Sequence, residues 1–294
     1  MSFVTYLING ISLGSVYALI ALGYTMVYGI AKMLNFAHGD VIMVGAFITY
    51  TICSTAGLSP VLGVVVSIIV CTLLGVLIEK VAYRPLRKAS SPLAVLITAI
   101  GVSYLLQNVA LLIFGANAKA FTSVVPVAPV KLANGQINIT GETIVTILSC
   151  LVIMAGLMLF INKTKAGQAM LAVSEDKGAA QLMGINVDGT IALTFAIGSA
   201  LAAVAGVLLC SAYPSLTPYT GSMPGIKAFV AAVFGGIGSI PGAFIGGILL
   251  GIIEIFGKAY ISSQMADAIV FAVLIVVLLV KPSGLLGKNI QEKV

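Results

Sequence analysis

Long uncharged apolar runs alternate with short polar breaks along the whole chain. The first run extends from about Phe3 to Ile30 and carries Gly10, Ser12, Gly14 and Ser15, a small-residue face suited to close helix packing. A polar break from Lys32 to Asp40 leads into a second run that ends near Thr51, and residues 57–60 make a turn. A third run starts at Val61 and ends at Glu79-Lys80. Others lie around Leu93–Phe114, Thr143–Ile161 and Thr190–Ala212. A short run, Ala228–Phe234, meets the glycine-rich stretch Gly235–Gly242, and Ala243–Phe256 and Ala266–Val280 follow before Lys281-Pro282. About 20 apolar residues cross the hydrocarbon of a bilayer as a helix. The pattern therefore predicts an all-α fold, a polytopic transmembrane helical bundle of eight or nine spans, organised as a single domain over residues 1–294.

Composition agrees with this reading. Hydrophobic residues make up 60% of the 294 positions and charged residues only 8%, too few to cover a soluble surface. The basic residues are scattered, which speaks against nucleic acid and suits orientation signals. Arg84, Arg87 and Lys88, then Lys163, Lys165 and Lys177, then Lys281, Lys288 and Lys293 are expected on the cytoplasmic side. That parity holds if the two runs flanking Gly235–Gly242 both cross, which puts the N-terminus outside with nine crossings; eight remains open. Residues 116–141, with Pro126, Pro129, Gly135 and Asn138, read as an external loop with a small hairpin. Residues 163–189 read as a cytoplasmic segment. The likeness of Asn35–Phe47 to Gly238–Gly251 raises two pseudo-repeated halves, a common transporter plan.

Nothing in the pattern supports catalysis or a cofactor. There is one histidine, no nucleophile–base spacing and no phosphate-binding glycine loop, so any use of ATP must come from a partner. His38 and Asp40 would give a metal two ligands where a structural zinc takes four. Cys53, Cys71, Cys150 and Cys210 each lie in an apolar run without metal spacing and read as buried free thiols. Glu254, four residues before Lys258, reads as an ion pair near the outer interface.

The segment at 162–189 is the most informative. Ser174 reads as an N-cap, with Glu175 and Asp176 in the first turn, where the helix dipole favours acids. The helix is expected to run to about Met183, with Gly184 supplying a left-handed C-cap. Ala179, Ala180, Leu182 and Met183 make a small apolar face on a helix too short to stand alone. That face lies on the protein's own surface or headgroups, or it plugs into a soluble partner. Asn35, His38 and Asp40 in the first break either cap the second span at the cytoplasmic interface or belong to a gate or path. Gly235, Gly236 and Gly238 either allow close packing or supply unwound backbone to a zwitterion.

Three stretches resemble one family. They are Leu34-Asn35-Phe36-Ala37-His38-Gly39-Asp40, the run from Ala172 to Asn186, and the run from Phe234 to Ala243. Together, and in this order, they are similar to motifs of the branched-chain amino acid (leucine/isoleucine/valine) ABC transporter permeases, over nearly the whole chain. The resemblance implies that residues 174–184 form a coupling helix docking on an ATP-binding subunit. It also implies a pore shared with a second permease subunit, either a paralogue or a copy of this chain, and two ATP-binding cytoplasmic subunits. An extracytoplasmic solute-binding protein would deliver the substrate. The place would be the bacterial or archaeal cell membrane. Urea and short-chain amide permeases carry a similar first motif, which leaves the substrate open, and a stand-alone secondary transporter is the rival machine.

Overall fold

A computed structural model describes residues 2–88, 92–132 and 137–287; Gly135, Lys288 and Lys293 lie outside the described residues. Within them the chain is an all-α bundle with four short strands. In order come α1 (Ser2–Ala31), α2 (His38–Tyr50), α3 (Pro60–Ile78), α4 (Pro92–Phe114) and α5 (Gly141–Lys163). They are followed by α6 (Lys165–Glu175), α7 (Lys177–Leu182), α8 (Val187–Ala212), α9 (Ser222–Gly235), α10 (Ile240–Tyr260) and α11 (Ala266–Val280). Wide π-helical turns extend α2 over Thr51–Thr55 and α3 over Glu79–Tyr83. Among the described residues six helices are long and apolar enough to cross a membrane, namely α1, α3 with its extension, α4, α5, α8 and α10. Two more, α9 and α11, are apolar but only 14 and 15 residues long.

Short polar residues start these helices where the sequence passes from loop to apolar run. Ser59, Thr140, Asn186 and Ser239 each accept a backbone N–H three residues on, and Pro60 and Pro241 sit in first turns that lack a partner for their nitrogen anyway.

The core lies around α1 and α8. Residues 13–27 of α1 are buried without interruption. α1 packs on α10, α8, α9 and α5, while α8 packs on α3, α2 and α1. α1 and α10 run antiparallel in close contact: a methyl at Gly10 would lie 2.9 Å from Ile252 Cα, and one at Gly14 2.7 Å from Ile248 Cα. Gly10 and Gly14 of the small-residue face expected on the first run make this contact, while Ser15 turns its hydroxyl back to the Ile11 carbonyl. On the other side Gly45 of α2 faces Ala203 of α8, and Ser67 of α3 donates to the Gly45 carbonyl at 2.8 Å. Leu73 and Leu77 of α3, Leu112 and Ile113 of α4, Val152 and Leu159 of α5, and Leu279 of α11 point outward, Leu112 with 87% of its surface free. Apolar exteriors of this kind are stable only in lipid.

The loops sort to two ends. At one, β1 (Lys119–Ala120) pairs with β4 (Ser215–Leu216), and β2 (Val130–Leu132) pairs with β3 (Ile137–Ile139) as the expected small hairpin. The start of α1 lies against the end of α10 at this end, with the Tyr6 and Tyr260 rings 5.8 Å apart. At the opposite end lie α6, α7, the α9–α10 turn and the turn at Pro85–Lys88. The buried Glu79 accepts there from Arg84 and Arg87, and Arg87 also reaches Asp188 at the start of α8.

Candidate functional site

The first polar break folds back into the bundle. α1 ends at Ala31, and Lys32 takes the left-handed conformation at φ 57°. Residues 33–37 then return alongside α1, so that α2 begins at His38 level with Gly23 and Tyr24. The His38 and Tyr24 rings are 4.6 Å apart, and a methyl at Gly23 would strike the imidazole. This start lies eight residues, about 12 Å, inside the end of α1. α9 arrives from the opposite direction. A methyl at Gly39 would lie 2.7 Å from the Gly221 carbonyl oxygen, and one at Gly225 2.8 Å from Gly39 Cα. Phe229, one turn further along α9, already packs on Tyr24 and Phe36. The two helices thus overlap only in their first turns, where backbone N–H groups have no partner within the helix.

The side chains at this junction are buried. Asn35, His38 and Asp40 are 3%, 1% and 2% exposed, which replaces the expectation of an interfacial cap. The Gln107 amide donates to Asp40 Oδ1 at 2.9 Å and lies 3.3 Å from the Ser222 hydroxyl at the start of α9. Tyr83 donates to Asn35 Oδ1 at 3.0 Å. A carboxylate at paired helix N-termini meets the positive ends of both dipoles, and with no water in lipid it needs such protein donors. His38 Nε2 has no partner among the described residues.

The glycine-rich turn does not join this junction. Gly235 and Gly242 bring their backbones into contact, and Gly236 and Gly238 adopt φ 107° and 92°. Leu285 and Leu286 donate to the Phe234 and Gly235 carbonyls, each at 2.9 Å. Gly238 abuts Gly29 of α1, six residues and about 9 Å beyond the level of His38. The glycines permit a tight turn and close approach at the end of the bundle.

The segment expected to start a helix at Ser174 is two helices. Thr164 accepts from Gly167 N and starts α6, which runs through Ser174; the Ser174 hydroxyl donates back to the Leu171 carbonyl. The cap of α7 is Asp176, whose Oδ1 accepts from Ala179 N at 3.0 Å while its own backbone is extended. Glu175 therefore closes α6 instead of opening α7. Gly184 takes the left-handed conformation at φ 81°, with Ile185 N bonded to the Ala180 carbonyl, a six-to-one closure of the helix end. Ala180 packs inward at 4% exposure, whereas Ala179, Leu182 and Met183 face out, the last two at 90% and 82%. Lys177 donates to the Ala31 carbonyl at 2.9 Å, tying α7 to the last turn of α1. Burial, then the neighbouring Arg87 and Lys32, hold its ammonium below the ordinary lysine range.

The ion pair expected of Glu254 and Lys258 is one part of a larger, buried cluster. Glu254 and Lys258 do pair, at 2.6 Å, but Glu254 is 1% exposed and also accepts from Lys227 at 2.9 Å and from the Tyr17 hydroxyl at 2.8 Å. Lys227, itself 6% exposed, bridges on to Asp267 at 2.6 Å. The available signal was a lysine inside the short apolar run of α9, since an ionisable group at such a place demands a partner. Beside this cluster opens a cavity of about 320 Å³, lined in part by Leu13, Tyr17, Leu209, Thr217, Thr220 and Lys258.

Comparison with known proteins places this architecture. The profile of the branched-chain amino acid transport system / permease component family matches residues 6–278. The high-affinity branched-chain amino acid transport system permease protein LivH of Escherichia coli K12 is 46% identical, over 99% of this chain and 98% of its own length. BraD of Pseudomonas aeruginosa, described in the same terms, is also 46% identical with the same coverage. A probable branched-chain amino acid transport permease protein LivH of Methanocaldococcus jannaschii is 30% identical over 92% of this chain and 88% of its own. A bundle of lipid-facing helices with its polar groups gathered inside, matched from end to end by such relatives, belongs to the branched-chain amino acid transport system permease family.

Proposed function

We propose that this chain is the membrane-spanning permease subunit of an ATP-driven importer for branched-chain amino acids, in a bacterial inner membrane. The observation that carries the reading is the end-to-end match to permeases named for that transport, at 46% identity over 99% of the chain. The chain works with a second permease subunit, two ATP-binding cytoplasmic subunits and an extracytoplasmic solute-binding protein. It performs no hydrolysis itself. Its helices cross the membrane nine times: α1, α2, α3, α4 and α5 in alternation, then α8, α9, α10 and α11. The N-terminus and the strand-bearing end are outside, and α6 and α7 are in the cytoplasm.

The packing supports two halves of opposite sense, α1–α4 and α8–α11. Each opens with a long central helix, breaks, and resumes with a helix starting inside the bundle. α1 lies on α10 as α8 lies on α3, and α2 and α9 meet at their first turns. This register pairs α2 with α9, in place of the sequence likeness between 35–47 and 238–251. Interrupted helices whose N-termini meet inside a bundle mark translocation paths, and Asn35 and His38 are the path residues of this reading. Gly235, Gly236 and Gly238 serve it as the tight turn that lets α9 and α10 move together.

Coupling runs through α7. Leu182 and Met183 are apolar side chains on a capped six-residue helix that cannot bury them within this chain, and they suit a groove on an ATP-binding subunit. From there Lys177 connects to the end of α1, beside the break that positions His38. Replacing Leu182 with Asp tests this: the surface position tolerates the charge, so insertion stays normal, while ATPase activity stimulated by substrate-loaded binding protein is lost. Full retained stimulation in Leu182→Asp overturns the coupling role.

A further inference from the structure

The cavity beside the buried ion network borders the start of α9, next to Gly221 and Gly225 of the helix junction, and is lined by no residue of α7. It opens between the outer parts of α1 and α8 and the segment that leads into α9. Its polar floor holds charges of both signs. Glu254 Oε1 accepts from Lys227 and Lys258 and Oε2 from Tyr17, while Asp267 takes the other contact of Lys227. The four ionic groups sum to zero, so an added ligand that is itself neutral overall leaves the balance undisturbed. Lys258 keeps 40% of its side chain free at the cavity, whereas Glu254, also on the lining, keeps only 2% and is held by its three donors. Thr217 and Thr220, whose hydroxyls lie 3.2 Å apart in a tight turn, supply further hydrogen-bonding groups on the wall. Leu13, Leu209 and Pro224 make the remaining wall apolar.

A zwitterion entering a region of low dielectric must find partners for both its charges. An open-mouthed cavity with an ammonium and a carboxylate 2.6 Å apart, two hydroxyls and an aliphatic wall meets that demand for one class of small molecule. Its volume falls in the roughly 300–1,000 Å³ range of small-molecule sites.

We propose that this cavity is a receiving site for an α-amino acid with an aliphatic side chain: Lys258 swings from Glu254 and, with the threonine hydroxyls, takes the carboxylate, the substrate ammonium takes the place of Lys258 on Glu254, and Leu13, Leu209 and Pro224 take the side chain. The proposal rests on the transport reading above and adds a place where substrate rests before it reaches the α2–α9 junction.

The test uses the full reconstituted importer with Ser215→Cys as a reporter on the cavity wall, in a background with Cys53→Ser. Labelling by a membrane-impermeant maleimide is followed with leucine, with isoamylamine (no carboxylate) and with isocaproate (no ammonium). Leucine at about ten times its dissociation constant is expected to slow labelling about tenfold, as occupancy requires, and the two truncated analogues at the same concentration to leave it unchanged. Lys258→Met is expected to raise the transport KM while ATPase stimulation by loaded binding protein persists, and Lys258→Arg to restore KM. Leucine-independent labelling, in an importer that does accumulate leucine, overturns this site alone. An importer that accumulates no branched-chain amino acid overturns the substrate reading and this site with it.

Discussion

At the scale of single residues, buried charge decides most. Glu254 binds three donors, and Lys227 depends on it for half of its pairing. Glu254→Gln keeps the shape but removes the buried carboxylate that both lysines share, leaving Lys227, Lys258 and Asp267 with an excess positive charge, and breaking a buried pair is expensive. A loss of about 3 kcal/mol is expected, visible as a lower midpoint of thermal unfolding in detergent; an unchanged midpoint would show that Lys227 finds water instead. Asp176 is a simpler case. Its side chain caps α7, so Asp176→Ala should destabilise that helix by about 1 kcal/mol. The expected result is faster amide exchange over residues 177–182 with the rest of the bundle unaffected. Ser174→Ala, by contrast, removes only a bond back to Leu171 and should leave that exchange unchanged.

At the scale of elements, the contact between α1 and α10 rests on absent side chains. Gly10 and Gly14 of α1 meet Gly251, Ile248 and Ile252 of α10 backbone to backbone, where lipid gives no hydrophobic drive and dispersion at short range must hold the pair. Gly14→Leu has no room without separating the helices. The expected outcome is a loss of about 1–3 kcal/mol or more, read as reduced folded yield after detergent extraction, while Leu73→Ala on the lipid-facing side of α3 extracts normally. The short helix α7 belongs to the same scale. Its ends were partly legible: Gly184 closes it as its position in the sequence suggested. Its start was not, because Ser174, Glu175 and Asp176 are all plausible first-turn residues, and only the extended backbone at Asp176 selects among them.

At the scale of the molecule, the path of the chain sets where each loop can lie. With nine crossings, Ser262 in the α10–α11 turn and Asn186 before α8 lie on opposite faces of the membrane. In intact cells, and with Cys53 replaced, Ser262→Cys should label with an impermeant maleimide and Asn186→Cys should label only after permeabilisation. Labelling of both from outside would overturn the crossing order.

Hydrophobic run length and the placement of short polar caps determined, without any structure, that this protein is a helical membrane bundle and roughly where each long apolar helix lies, though not that two helices occupy 165–182. Those are local properties, set by the width of a bilayer and by the bonding of one helix end. What remained for the tertiary structure was everything that depends on two distant segments meeting. Sequence could not say that the break at 32–37 turns inward and lets His38 start a helix beside Gly23. Nor could it show that α9 begins against Gly39, or that Lys227 is held by a carboxylate 27 residues further along the chain. A buried polar group announces that it needs a partner, but which partner it finds is fixed only when the helices pack.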